Sequence, residues 1–167
     1  MRDLNAIAQE CMKMLDDIGI EYGKIMEFKV NTRARRWGQC KRVSGVYSIN
    51  ISATLLDESN DIDGLKNTII HELLHTCNGC MNHGEKWKMM ANKVNNTYGY
   101  NIKRCSDVSE KGVKKDTRPK HKAITYKYEV KCQKCGNIYQ RSKMSNIVQH
   151  PEHYRCGKCH GELKRTK

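Results

Sequence analysis

No apolar run in this 167-residue sequence approaches the roughly 18 residues that a membrane span requires. The first residues, MRDLNAIAQECMKMLDDIG, mix acids into their apolar positions instead of forming an export-signal core. A soluble, unsecreted, cytoplasmic protein is expected. No internal repeat is long enough to imply a solenoid. A disulfide framework is a poor explanation of the cysteines, because nine is an odd number and no export signal accompanies it. Thiols that bind metal in a reducing compartment explain them better. Acidic residues become scarce toward the end of the chain. Residues 111–167 hold sixteen Lys and Arg against four Asp and Glu, whereas residues 1–110 hold fifteen against fourteen, so nearly all of the net charge of +13 lies in the last third. Such a tail suits a polyanion, nucleic acid first, with a solvated basic surface as the plain alternative.

A chain of this length buries one ordinary core, or one modest core and a small satellite with another source of stability. Leu4, Ile7, Ala8, Cys11, Met12, Leu15 and Ile18 recur at helical spacing before Gly19. Alternation then places Met26, Phe28, Val30 and Thr32 on one strand face and Tyr47, Ile49 and Ile51 on another, with a hairpin from Gly38–Arg42 across VSG. DIDGLKNTIIHELLHTCNG reads as a helix started by Asp61 or Asp63 and followed by Gly79, and a third helix after Gly84 carries Trp87, Met90, Ala91, Val94 and Tyr98. Residues 105–122 are aperiodic and lysine-rich, which predicts a linker between a unit over 1–104 and one over 123–167. The fold class expected is α+β.

His71 and His75 are four residues apart, so on a helix they share a face and can share one ion, while Glu72 sits about 100° around from His71. This is the His-Glu-x-x-His pattern, in which two imidazoles hold zinc and the glutamate acts as general base. A catalytic zinc needs a third protein ligand and an open fourth position. His83 is favoured because it precedes a helix where Trp87 can fix it; Glu85 is the carboxylate alternative, and Cys77 and Cys80 are rivals that read more simply as buried thiols. With zinc as Lewis acid and Glu72 as base, the natural reaction is amide hydrolysis. An additional donor to the oxyanion could be Tyr98, Tyr100 or Arg104, a choice the sequence leaves open.

Cys132-x-x-Cys135 and Cys156-x-x-Cys159 are two knuckles twenty residues apart, the spacing of a closed four-thiolate structural zinc site. Some forty-five residues cannot bury enough apolar surface alone, so the metal would supply the missing stability. His121, His150, His153 and His160 nearby read as surface residues. Tyr126, Tyr128, Tyr139 and Tyr154 interleave with Lys127, Lys131, Arg141, Lys143 and Arg155, as in single-strand binders, although some of these rings must form the module's own core. Tyr139, Arg141, Lys143 and Arg155 are the candidate nucleic-acid contacts.

Taken in order, RRWGQC, VYSINISATLL, HELLH, NHGEKWKMM and the paired knuckles resemble the SprT-like zinc metalloprotease family, which is related to the animal protease Spartan. The resemblance covers about residues 25–163. It implies a zincin-like catalytic domain followed by a zinc ribbon, with His71, His75 and His83 as ligands of a catalytic zinc, Glu72 as catalytic residue and a second, structural zinc. It also implies cleavage of proteins bound or crosslinked to DNA, with single-stranded DNA as the expected partner. VYSINIS is the candidate edge for an extended substrate, with an interior strand as the alternative. Two rival readings are a nonenzymatic DNA-binding adaptor, whose first site would be closed by Cys77 or Cys80, and a general peptidase whose ribbon is only a brace.

Overall fold

The computed structural model describes residues 1–118 and 123–167, which divide into units over Met1–Lys120 and His121–Lys167. His121 itself lies outside the described residues. The first unit opens with helix α1, Leu4–Asp17, whose N-cap Asp3 accepts from the amides of Asn5 and Ala6 and whose buried face is Leu4, Ile7, Ala8, Cys11 and Leu15. That is the stripe the helical spacing predicts. Three strands follow, β1 (Ile25–Asn31), β2 (Gly38–Val43) and β3 (Val46–Ser52), in the order β1-β3-β2. β3 runs parallel to β1 and antiparallel to β2. Ser44 and Gly45, both at positive φ, make the two-residue turn of the β2–β3 hairpin.

Two expectations about this sheet are corrected. VYSINIS is the central strand, bonded on both sides, so it cannot hold a substrate by its edge; Ile49 and Ile51 are fully buried because both flanks and one face are covered. The edge that faces the site is β2. In β1, a register shift between Ile25 and Glu27 breaks the alternation. Ile25 and Phe28 pack on the core, while Met26 is 58% exposed and Val30 40% exposed.

Helix α2, Ile62–Leu74, is capped by Asp61, whose side chain accepts from the Asp63 amide. Leu65, Ile69, Ile70, Leu73 and Leu74 bury most of its circumference, so it runs through the core instead of lying on it. It ends sooner than the sequence suggests. His75 is the C-cap, still at αR dihedrals, and the amides of Thr76 and Cys77 tighten the exit by donating to the Leu73 and Leu74 carbonyls. Helix α3, Glu85–Tyr98, buries Trp87, Ala91 and Val94 and stops at Gly99, which adopts the left-handed conformation.

The expected linker spans 105–122, and its described part instead packs onto the first unit. A 3₁₀ turn, Ser109–Lys111, is followed by Val113 in the core. The turn is held by the Asp61 amide donating to the Gly112 carbonyl and the Lys114 amide donating to Asn60 Oδ1. It comes so close to α2 that a Cβ at Gly64 would sit 2.0 Å from the Lys111 carbonyl oxygen. Such close approach leaves no hydrophobic periodicity in the strapped segment, which is why composition alone reads it as a spacer.

The second unit has strands β4 (Tyr128–Cys132), β5 (Ile138–Arg141) and β6 (Leu163–Arg165) in the order β5-β4-β6, with a short helix α4, Asn146–Gln149. Its buried apolar residues are Val130, Val148 and Leu163 around Cys132 and Cys156. No helix among the described residues is long and apolar enough to cross a membrane.

Candidate metal centres and catalytic cavity

Helix periodicity brings His71 and His75 onto one face, and the turn through Gly79 returns the chain so that His83 meets them. His83 Nε2 lies 3.0 Å from His71 Nε2 and 3.1 Å from His75 Nε2. Three ring nitrogens gathered this closely fit a tetrahedral ion, whose ligand–ligand edge is about 3.3 Å at zinc–nitrogen bonds of about 2.0–2.1 Å. Each ring is braced from outside. His75 Nδ1 meets the Cys80 carbonyl at 2.8 Å, and His71 bonds the Lys103 backbone; a donor proton on that side leaves Nε2 free as a ligand. Trp87 stacks on His75 at 5.6 Å and meets His71 and His83 edge-on at 4.8 and 4.6 Å. Burial, with the neighbouring imidazoles, pushes His71 down to about 3, which favours the neutral ring.

Of the other candidate ligands, neither sulfur joins the imidazoles. Cys77 and Cys80 are buried, Cys77 Sγ beside the Leu73 carbonyl at 3.9 Å and Cys80 Sγ beside Met90 Sδ at 3.8 Å. Burial holds the Cys77 thiol up at about 11, away from the thiolate a metal requires. Glu85 is engaged with Lys88 at 2.7 Å on the exposed start of α3.

Glu72 is 7% exposed and faces β2. It accepts from the Cys40 amide, and a Cβ at Gly38 would lie 2.5 Å from its Oε1. Only glycine lets the strand come this near. Burial raises the Glu72 carboxyl to about 7, against the opposing effects of the Cys40 amide, Lys111 and Arg36. Glu72 and the three imidazoles line a cavity of about 880 Å³.

The rim of that cavity is basic. Arg35, Arg36, Lys103, Arg104, Lys111 and Arg118 line it, against Glu72 and Asp107. Arg118 pairs with Asp116 at 2.8 Å and lies over the Trp37 ring at 3.2 Å; Lys103 pairs with Glu110. Among the described residues Arg35, Arg36 and Arg104 carry no ion pair, and all three are exposed. Of the three oxyanion donors the sequence allowed, only Arg104 reaches this cavity. Tyr98 donates its hydroxyl to the Met14 carbonyl at 2.8 Å, and Tyr100 packs on the core beside Lys66.

Sequence reasoning missed the Cys80 and Lys103 carbonyls, Gly38, Arg36 and Lys111. Backbone groups carry no residue-type signal, and Lys111 was hidden in a run of lysines. Arg36 and Gly38 had a local sign, their place in RRWGQC next to a strand.

In the second unit the four cysteine sulfurs converge. Cys132 and Cys159 are 3.5 Å apart and Cys135 and Cys156 3.6 Å apart, near the edge of about 3.8 Å for a zinc tetrahedron with bonds of about 2.3 Å. The two knuckles close alike: the Gly136 amide bonds the Cys132 carbonyl at 3.1 Å, and the His160 amide bonds the Cys156 carbonyl at 2.8 Å. Both closing residues have positive φ, so His160 serves as a turn and not as a ligand. Tyr139 is bound into this cluster. Its hydroxyl accepts from the Gly157 amide at 3.0 Å and donates to Cys156 Sγ at 3.2 Å, the largest cause holding Cys156 down at about 6. Its ring packs on the small core. Lys143 and Arg155 are exposed and Arg141 half-buried, while the exposed aromatic rings are Tyr126 and Tyr154. His150 and His153 are exposed around Glu152.

Comparison with known proteins agrees with the geometry. The model of the SprT-like family matches residues 8–106. The chain is also similar to the Germ cell nuclear acidic protein of Drosophila melanogaster, 27% identical over 176 aligned positions, a match covering 97% of this chain and 15% of that relative. The chain therefore spans a small fraction of the relative's length. With the family model covering more than half of its residues, and with the three-histidine cluster inside the matched span, this chain belongs to the SprT-like family.

Proposed function

We propose that the protein is a zinc-dependent endopeptidase of zincin-like architecture that cleaves proteins bound or crosslinked to DNA. The observation that carries this reading is the convergence of His71, His75 and His83 beside a buried Glu72 on an open cavity, with no sulfur among them. Three imidazoles leave a coordination position free, whereas an adaptor's structural site would be closed by Cys77 or Cys80. Zinc, when bound by these imidazoles, supplies Lewis acidity and acidifies water. The chain's own groups do the rest. Glu72, shielded from bulk solvent and held near neutrality by burial, takes a proton as a water attacks the peptide carbonyl and passes it to the leaving amine. Arg104 on the cavity rim is the candidate donor to the oxygen that becomes negative. The outer edge of β2 offers backbone groups to an extended peptide beside Glu72.

The DNA part of the reading is supported by charge. Residues 111–167 carry most of the net charge, and Lys143, Arg155, Tyr126 and Tyr154 present cations and rings on the second unit. Tethering to DNA would raise the local substrate concentration and reduce the need for sequence selectivity. The test is cleavage of a DNA-binding protein with and without single-stranded DNA, alongside Glu72→Gln. Cleavage that DNA stimulates and Glu72→Gln abolishes, with zinc and DNA binding kept, is expected. Retained cleavage in Glu72→Gln refutes the base assignment. Activity that ignores DNA leaves a general peptidase.

A further inference from the structure

Lysine is almost never fully buried without a partner, yet Lys111 is 4% exposed. Its ammonium has one long contact, 3.4 Å to Asn67 Oδ1, and no carboxylate lies within ion-pair distance of it among the described residues. Asn67 stands one turn before His71 on α2, and Lys111 and Glu72 both line the catalytic cavity. The backbone geometry makes this placement deliberate. The 3₁₀ turn Ser109–Lys111 docks its last carbonyl against Gly64, where any side chain would collide. Gly112, at φ +58, fits against Asp61, and the neighbouring amide bonds pin the turn on both sides. A whole segment is thus strapped to α2 in a way that puts one cation under the active-site helix.

We propose that Lys111 is a positioning residue: a buried counter-charge, lining the same cavity as Glu72, that holds the Glu72 carboxylate in its catalytic orientation. Glu72 is fixed from β2 by the Cys40 amide and the close approach of Gly38. Lys111 and Glu72 are both buried, 4% and 7% exposed, so little solvent screens the attraction between them and it acts over more than contact distance. Burial lowers Lys111 to about 8, and Glu72 is the first-named charge opposing that fall. Keeping such an ammonium is costly to folding, the kind of cost that stability selection alone would remove and that functional sites retain. This inference rests on the reading of Glu72 as the catalytic base for its kinetic consequence only.

The test is a double-mutant cycle on the zinc-loaded full chain, with Lys111→Met and Glu72→Gln singly and together. Unfolding of the first unit is followed by tryptophan fluorescence, since Trp37 and Trp87 both lie there. Removing the ammonium relieves a burial cost in both backgrounds but sacrifices the attraction only where Glu72 is present. The melting temperature should therefore rise more in the Glu72→Gln background, the two shifts differing by about 2–4 °C for a typical coupling in a chain of this size. Lys111→Met should also lower kcat by about tenfold or more with KM and zinc content unchanged, and Lys111→Arg should recover much of it. Equal melting shifts in the two backgrounds, or parental kcat in Lys111→Met, would overturn the proposal. Should the parent chain cleave nothing, the proposed activity fails, and the melting cycle by itself decides whether the two charges are paired.

Discussion

Replacing Gly38 by alanine adds one methyl group where β2 comes close to the Glu72 carboxylate. An ideal Cβ there lies 2.5 Å from Glu72 Oε1, 2.7 Å from its Cγ and 2.9 Å from its Cδ, where ordinary contact begins at 3.4 Å. Something must therefore move by about 0.9 Å. The strand cannot give, because Gly38 pairs with Ile51 of the fully buried central strand. The carboxylate must give instead, and with Glu72 only 7% exposed it has no open solvent to retreat into. A misplacement of about 1 Å in a catalytic group costs about 10²-fold in rate, equivalent to about 2.7 kcal/mol in the barrier. The three atoms nearest the new methyl group all belong to Glu72 and none to an imidazole, so zinc stoichiometry should stay at the parental value. The assay is the initial rate of cleavage of an unfolded protein substrate by equal concentrations of zinc-loaded parent, Gly38→Ala and Glu72→Gln, with metal content measured on the same samples. A Gly38→Ala protein that cleaves at the parental rate refutes the claim that Glu72 acts from its observed position. One that loses zinc in proportion to activity shows that the damage spreads beyond the carboxylate.

Substituting His83 by alanine leaves two imidazoles and should reduce bound zinc from two ions per chain to about one, by elemental analysis, with cleavage lost. Cys156→Ser should collapse the dispersed NMR signals of the second unit while leaving the tryptophan fluorescence of the first unchanged, because so few apolar residues are buried around the four thiolates. Stability should respond to pH through Lys111: its folded-state value of about 8 lies below the ordinary 10.5, so the unfolded chain binds more protons between those values and stability rises with pH across the window. The gain is at most about 3 kcal/mol at 1.36 kcal/mol per pH unit, and urea titrations of the parent should show it where Lys111→Met does not. Neutralising Lys143 and Arg155 together should lower the slope of log affinity against log salt for single-stranded DNA by about 0.7 per lost phosphate contact; an unchanged slope would place the DNA surface elsewhere.

Periodicity alone settled the pieces whose physics is local. The spacing of Leu4, Ile7, Cys11 and Leu15 dictates an amphipathic helix whatever lies around it. The four-residue step from His71 to His75 puts two imidazoles on one face of any helix, and two CxxC knuckles that close in left-handed turns make a thiolate cluster with little help from the rest of the chain. What needed the tertiary structure is everything decided by approach between distant segments. The sequence ranked His83 ahead of Glu85 and the two thiols, but only the return of the chain past Gly79 brings His83 beside His71 and His75, while Cys77 and Cys80 are buried against Leu73 and Met90. VYSINIS reads equally well as edge or interior strand, since one alternating pattern serves both; only pairing on two sides made it central and left β2 beside Glu72. Lys111 is the clearest case. In sequence it is one lysine in a basic, aperiodic run, and it becomes a buried charge in the cavity that Glu72 and the three histidines line because Gly64 and Gly112 let that run lie directly against α2. Hydrophobic patterning reports the surface a residue shows its own helix or strand, whereas close contact between backbones and the field inside a cavity depend on segments that meet only when the chain has folded.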